Sequence, residues 1–221
     1  MFKTFTLALL LTLAPAVAEE TSRALPQPID DAAPSGSAQA VFAGGCFWGM
    51  QGVFQHVKGV REVLAGYSGG ASRTAHYEEV GYGNTGHAEA VRIVYDPAQI
   101  SYGRLLQVFF SVMDPTTKNY QGPDPGPQYR TEVFAADAAQ RRVATEYIAQ
   151  LTRAQAFGRP IVTLVSDLHG FYPAEGYHQD YAFNNPRNMY IVINDAPKVE
   201  NLKQMLPDLY REKPVLVADA N

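Results

Sequence analysis

A chain of 221 residues that is 46% apolar can bury a core, and its length suits one catalytic domain with residues to spare. A formal charge of -4, an isoelectric point near 5.7 and scattered Lys and Arg residues exclude the basic footprint of a nucleic-acid binder. A single cysteine, Cys46, excludes an internal disulfide.

Taken in chain order, residues 1–18 combine Lys3, an apolar run over 5–13 and Ala16-Val17-Ala18 ahead of Glu19, the pattern of a cleaved signal peptide. The run is shorter than the roughly 20 apolar residues that span a bilayer. An exported protein, periplasmic or secreted and free of the membrane after signal cleavage, is expected. Residues 19–38 carry Pro26, Pro28 and Pro34 without apolar periodicity and read as a flexible leader. A catalytic domain over 39–197 follows, and 198–221 form a C-terminal helix and tail.

Within that domain, 40–43 predict a short strand running into Gly44-Gly45, after which Met50, Val53, Phe54 and Val57 recur at helical spacing. Cys46 therefore stands at a strand-to-helix turn. Strands are predicted over 60–67 and 87–95. A helix over 102–113 places Leu105, Leu106, Phe109 and Val112 on one side. Residues 114–128 hold four prolines and two glycines and read as a functional loop. A strand over 129–135, a long helix over 137–155 with Asp137 as its cap, a strand over 161–166 and a helix over 198–206 complete the series. The order strand, helix, strand, strand, helix, strand predicts an α+β fold, a ferredoxin-like split βαβ sandwich with long functional loops.

The turn Gly44-Gly45-Cys46-Phe47-Trp48-Gly49 offers a thiol to the unpaired amides of a helix start, which favour a thiolate. On these residues alone Cys46 is either a reactive thiol or a small buried apolar group. Phe47 and Trp48 are either an apolar wall for a methyl or thioether group, or core. A Gly-x-Ser-x-Gly pattern at Gly66-Tyr67-Ser68-Gly69-Gly70 matches the nucleophile elbow of serine hydrolases, but the loop-like residues after it do not supply the required helix. His56, His76, His87, His169 and His178 show no metal-site spacing, so no metal is expected, and the absence of phosphate-cradling glycine motifs leaves no cofactor expected.

Gly45-Cys46-Phe47-Trp48-Gly49 resembles the signature of the A-type peptide methionine sulfoxide reductases. Gly86-His87-Ala88-Glu89, the block from Gln121 to Arg130, and Tyr177-His178-Gln179-Asp180-Tyr181 resemble further blocks of that family. The likeness covers about 40–194. It implies reduction of the S epimer of methionine sulfoxide, free or in proteins, with Cys46 attacking the sulfur and Glu89 giving a proton to the departing oxygen. It also implies that Tyr77 and Tyr129 donate hydrogen bonds to that oxygen, that Asp124 orients the site or binds the substrate backbone, and that Tyr181 lines it. His87 and His178 are read as structural hydrogen-bonding groups.

Two departures from the family pattern stand out. Pro123 replaces an expected polar residue, and the further cysteines often found near the C-terminus are missing. Cys46 would then be left as a sulfenic acid that an external thiol, small or thioredoxin-like, must resolve. A monomer is expected. The alternatives are a cysteine hydrolase or acyltransferase and a non-catalytic methionine-binding module, both of which would work without a reductant.

Overall fold

The computed structural model describes residues 23–31 and 38–217. The signal peptide expected over 1–18 lies outside them. In chain order the elements are β1 (Gln39–Gly44), α1 (Phe47–Gln55), β2 (Val60–Ser68), α2 (Tyr77–Gly81), β3 (Ala88–Tyr95), α3 (Tyr102–Val112), β4 (Tyr120–Gln121), β5 (Asp124–Pro125), β6 (Thr131–Ala135), α4 (Ala138–Arg153), β7 (Leu164–Asp167), β8 (Phe171–Pro173), α5 (Tyr181–Asn184) and α6 (Ala196–Met205).

The main sheet runs β7-β6-β1-β3-β2-β8. Its middle, β6-β1-β3-β2, is antiparallel at every step and is the strand order of a split βαβ sandwich, as the element order predicts. Two edges are added to it: β7 joins β6 in parallel and β8 joins β2 antiparallel.

The two-residue period of the strands assigns side chains to the two faces. Ala40 and Phe42 of β1, Val63, Ala65 and Tyr67 of β2, and Val91, Ile93 and Tyr95 of β3 turn toward the helices and join Phe54, Leu105, Phe109 and Tyr147 in one core. Val41 and Ala43 of β1, with Ala88 and Ala90 of β3 and Phe134 of β6, form a smaller cluster on the opposite face, against which Leu168 and Phe171 pack. Burial on both faces explains why β1 reads as a continuous apolar run.

The helix starts follow their capping residues. Asp137 accepts the Gln140 amide at 2.8 Å at the head of α4, and Ser101 accepts the Arg104 amide at 3.3 Å at the head of α3. The loop over 114–128 is folded upon itself. Gln121 is buried and bonds both the amide and the carbonyl of Asp114, at 3.0 Å each, and β4 pairs with β5 to present Asp124.

The structure adds β8, which the sequence reading does not contain, and departs from that reading in two further segments. Residues 23–31, within the stretch read as a flexible leader, lie along α3 and α4. Leu25 is buried, its carbonyl accepts from Gln107 at 2.5 Å, the Pro26 carbonyl accepts from the Tyr147 hydroxyl at 2.8 Å, and Asp31 takes the Gly103 amide at 2.9 Å. One apolar anchor with one buried and two partly buried hydrogen bonds outweighs the proline content that suggests a loose chain. The terminal helix begins at Ala196 rather than residue 198, directly from a π-helical turn over Ile191–Asp195. Its Leu202, together with Leu206 and Leu209 beyond its end, enters the main core.

Candidate active site

The backbone turns sharply between β1 and α1. Gly45 has φ of +89°, and a Cβ there would sit 2.6 Å from Cγ of Gln121, so only glycine fits. The next residue, Cys46, is the N-cap of α1 and is 7% exposed. Its side chain does not cap the helix; the Phe47 amide instead donates to Oε2 of Glu89 at 2.9 Å.

Strand periodicity explains the position of Glu89. On β3 it shares the helix-facing side with Val91 and Ile93, which carries its carboxyl under the first turn of α1, and it pairs across the ladder with Tyr67 of β2. It is 3% exposed.

Burial and neighbouring charges raise the proton affinity of both reactive groups. Burial, opposed by the Phe47 hydrogen bond and assisted by the charges of Asp124 and Asp195, pushes the Glu89 carboxyl up to about 8. Burial, then the charges of Glu89 and Asp195, push the Cys46 thiol well above its ordinary value. The Trp48 amide at the helix start pulls the other way without capping through the thiol, but desolvation is the larger effect. The resting site therefore holds a neutral thiol beside a neutral carboxyl, not a preformed thiolate.

Around this pair stand the other residues singled out in the sequence. Phe47 is buried and packs against Tyr77 with ring centroids 6.3 Å apart. Trp48 is half-buried, stacked on Tyr181 at 3.9 Å with the rings 13° from parallel. Both Tyr77 and Tyr129 have raised hydroxyl pKa values, through burial first and the charge of Glu89 second, so both phenols lie within its field. Asp124 accepts a short hydrogen bond from the Tyr190 hydroxyl, and burial raises its carboxyl. The six others, Phe47, Trp48, Tyr77, Asp124, Tyr129 and Tyr181, thus form one shell around Cys46 and Glu89.

Sequence reasoning missed several members of this shell. Tyr190 bonds Asp124 and sets its ring edge-on to Trp48 at 6.0 Å, yet it sits in Asn188-Met189-Tyr190-Ile191, which carries no pattern. Tyr67 donates to Glu175 at 2.9 Å, and the other carboxylate oxygen of Glu175 accepts the Tyr77 amide at 3.0 Å. The pairing of Tyr67 with Glu89 was the available signal. Asp195 and Lys198 form a buried ion pair at 3.5 Å, and a Cβ on Gly49 would fall 2.2 Å from the Asp195 carboxylate, so the pair rests on the first turn of α1.

His87 keeps its structural reading. Its Nδ1 accepts the Gly70 amide at 3.2 Å and its Nε2 reaches the Ala71 carbonyl at 3.0 Å. Ser68 of the false elbow is fully buried and donates to the Gly170 carbonyl at 2.6 Å, which leaves it no role as a nucleophile. Among the described residues no group of three His, Cys, Asp or Glu side chains could hold a metal ion, and no helix is long and apolar enough to cross a membrane.

A split βαβ sandwich with one buried thiol at a helix start, facing a protonated carboxyl and ringed by aromatics, defines an enzyme of the single-thiol class. The model of the family described as peptide methionine sulfoxide reductase matches residues 38–209. Peptide methionine sulfoxide reductase MsrA 2 of Mesorhizobium japonicum is 57% identical over 87% of this chain and 100% of its own length. A protein of the same name from Synechocystis is 49% identical over 85% of this chain and 90% of its own. Among solved structures, methionine sulfoxide reductase A of Corynebacterium diphtheriae superposes with a TM-score of 0.61 at 28% identity, over 79% of this chain and 93% of that one. Reduced Mxr1 of Saccharomyces cerevisiae gives 0.61 at 31%, over 68% and 86%. The chain belongs to the A-type peptide methionine sulfoxide reductase family.

Proposed function

We propose that this protein reduces the S epimer of methionine sulfoxide, free or within polypeptides, with Cys46 as the nucleophile and Glu89 as the proton donor. The observation that carries the assignment of roles is the Phe47 amide at 2.9 Å from Glu89. It fixes the carboxyl beneath the helix start that holds the thiol, in surroundings that keep it protonated near neutrality.

The sulfoxide oxygen is a poor leaving group until it receives a proton. Glu89 supplies that proton, the Cys46 sulfur attacks the sulfoxide sulfur, and the thiol proton returns to the Glu89 carboxylate. The sulfur–sulfur bond made by that attack and the sulfur–oxygen bond of the substrate both break as the protonated oxygen passes to the Cys46 sulfur. Methionine leaves reduced by two electrons and Cys46 remains oxidised by two, as a sulfenic acid. Tyr77 and Tyr129 are phenols that stay protonated at neutral pH and can donate to the oxygen as charge develops on it. Phe47, Trp48 and Tyr181 form the apolar wall for the S-methyl group, and Asp124, steadied by Tyr190, binds the substrate backbone.

With Cys46 as the only cysteine, recycling takes two thiols from outside. The first condenses with the sulfenic acid, releasing water and leaving a mixed disulfide, and the second frees Cys46. A small thiol or a thioredoxin-like protein fits that requirement. Export is part of the same reading and rests on the signal-like pattern of residues 1–18.

The test is single-turnover consumption of each pure epimer of methionine sulfoxide without reductant. One equivalent of methionine per chain is expected from the S epimer, with one oxygen added to Cys46 that dimedone traps. Equal consumption of both epimers, or more than one methionine per chain in thiol-free buffer, would overturn it.

A further inference from the structure

Helix α2 carries Tyr77 and has little of its own to hold it. It is five residues long, Val80 is its one buried side chain, and His76 at its head makes no side-chain cap. A helix so short does not sustain itself, because ordering the first turn costs more than one hydrogen bond returns. Its ends are tied instead from distant parts of the chain. At the head, the Tyr77 amide donates to Oε1 of Glu175 at 3.0 Å, a residue 98 positions away. At the tail, the Gly81 carbonyl accepts from Nε2 of Gln128 at 3.2 Å, and Gln128 stands next to Tyr129.

Glu175 does more than cap. Its second oxygen, Oε2, accepts from the Tyr67 hydroxyl at 2.9 Å, and Tyr67 lies opposite Glu89 on the ladder between β2 and β3. One carboxylate therefore joins the head of α2 to the rung of the sheet that carries the proton donor. Burial pushes this carboxyl up, but hydrogen bonds from its own amide, the Tyr77 amide and the Tyr67 hydroxyl, with the charge of His178, outweigh burial and hold it below its ordinary value. As a carboxylate it only accepts, which suits two donors. Its carbonyl takes the His178 amide at 2.9 Å, which fixes Glu175 at the start of a 3-10 turn. A cap alone can come from the residue ahead of a helix, as Ser101 and Asp137 supply it for α3 and α4. Taking the cap from a side chain that also holds Tyr67 fixes where Tyr77 stands relative to Glu89.

We propose that Glu175 is a positioning residue that bridges α2 to the Tyr67–Glu89 rung and so sets the Tyr77 phenol where it and Glu89 reach the same sulfoxide oxygen. This rests on the reading of Tyr77 as a hydrogen-bond donor to that oxygen, and it assigns Glu175 no proton transfer of its own.

The experiment is a double-mutant cycle on the single-turnover rate of reduction. Glu175→Ala frees the head of α2 and should slow the reductive step roughly 30-fold, as a displaced donor does, with substrate affinity kept within about threefold. In a Tyr77→Phe background the same substitution should add less than about threefold, because the hydroxyl it serves is gone. Glu175→Gln should restore the rate to within about threefold of wild type, since its carbonyl can take the Tyr77 amide while its amide group donates to the Tyr67 oxygen. Glu175→Asp keeps the charge but is one methylene too short to span both bonds, and it carries the same cycle should the alanine variant not fold. Hydrogen exchange of the Tyr77 amide should speed up at least about tenfold in the alanine variant and stay slow in the glutamine one. Equal slowing with and without the Tyr77 hydroxyl, a loss of affinity in place of rate, a glutamine variant as slow as the alanine one, or unchanged amide exchange would overturn the positioning role. Absence of sulfoxide reduction by the wild type would instead defeat the proposed activity and leave the exchange result standing.

Discussion

Replacing Glu89 by Gln removes one ionisable proton while keeping an oxygen for the Phe47 amide, so the effect on chemistry separates from the effect on shape. In the wild type the carboxyl has a pKa of about 8 in the fold against 4.5 as its ordinary value. The rate of the reductive step should therefore be level up to about pH 7 and fall by about tenfold per pH unit above 8, as the donor ionises. Glu89→Gln should be slower by roughly 100-fold at pH 7 and lack that alkaline fall. Stability should move the other way. A raised folded pKa means that the contribution of the proton is fully present below the unfolded value and is lost as pH rises through the folded one. Between about 4.5 and 8 the unfolded chain sheds this proton and the folded chain keeps it, at about 1.4 kcal/mol per pH unit. By pH 8 the wild type gives up about 5 kcal/mol relative to acid, a loss from which the Gln variant is exempt. Urea unfolding of both proteins at pH 5 and pH 8, beside quenched-flow single turnovers from pH 5 to 10, measures the two effects. A gap in stability that stays constant with pH, or a wild-type rate that climbs through pH 8, would refute the assignment of a buried neutral acid.

Further substitutions address the rest of the shell. Tyr190→Phe removes the hydroxyl that bonds Asp124 and should raise KM for a peptide substrate roughly tenfold with kcat within about threefold, read in steady-state kinetics. Gly45→Ala forces a side chain into a backbone with φ of +89° and against Gln121, and should cost about 3 kcal/mol in urea unfolding along with most activity. Leu25→Ala loosens the 23–31 segment from α3 and α4 and should cost about 2–3 kcal/mol in thermal or urea unfolding while leaving kcat unchanged. Iodoacetamide should alkylate Cys46 at pH 7.5 at least about tenfold more slowly than it alkylates free cysteine, because burial and the neighbouring charges suppress the thiolate; equal rates would contradict the neutral thiol.

The sandwich was legible because its helices and strands have strong, different periods, and because Asp137 marks the head of α4. What escaped was held by contacts distant in sequence. β8 is three residues long and exists because Tyr172 pairs with Tyr67, a contact that spans the chain. Residues 23–31 look loose by composition, and only the groove between α3 and α4 shows why Leu25 orders them. The motif residues of the site were legible as types in a known spacing, but their supports were not. Tyr190 and Glu175 act through hydrogen bonds that no local pattern encodes, and the Asp195–Lys198 pair, only three residues apart, straddles the point where the sequence reading began the terminal helix. The electrostatic outcome was also illegible. A helix start favours a thiolate, and only the burial of both Cys46 and Glu89 reveals that desolvation reverses the balance.

That reversal links the chemistry to the architecture. Ionising either group alone would place an uncompensated charge in an apolar shell, and the Cys46 and Glu89 charges oppose each other, so the empty site holds both protons. A bound sulfoxide changes the terms. Its oxygen is a strong acceptor that can take the Glu89 proton, and a carboxylate formed next to the thiol is the base that receives the Cys46 proton. Each transfer removes the charge that the other creates, so the pair can pass a proton around the substrate without ever exposing a lasting charge to the Phe47, Tyr67 and Tyr77 rings. The thiol is then activated by the substrate it reduces and stays unreactive without one. For an enzyme with a single cysteine and no internal partner for its oxidised form, this matters more than speed: a thiolate standing ready in the empty site would be open to oxidants with no second sulfur in the chain to rescue it.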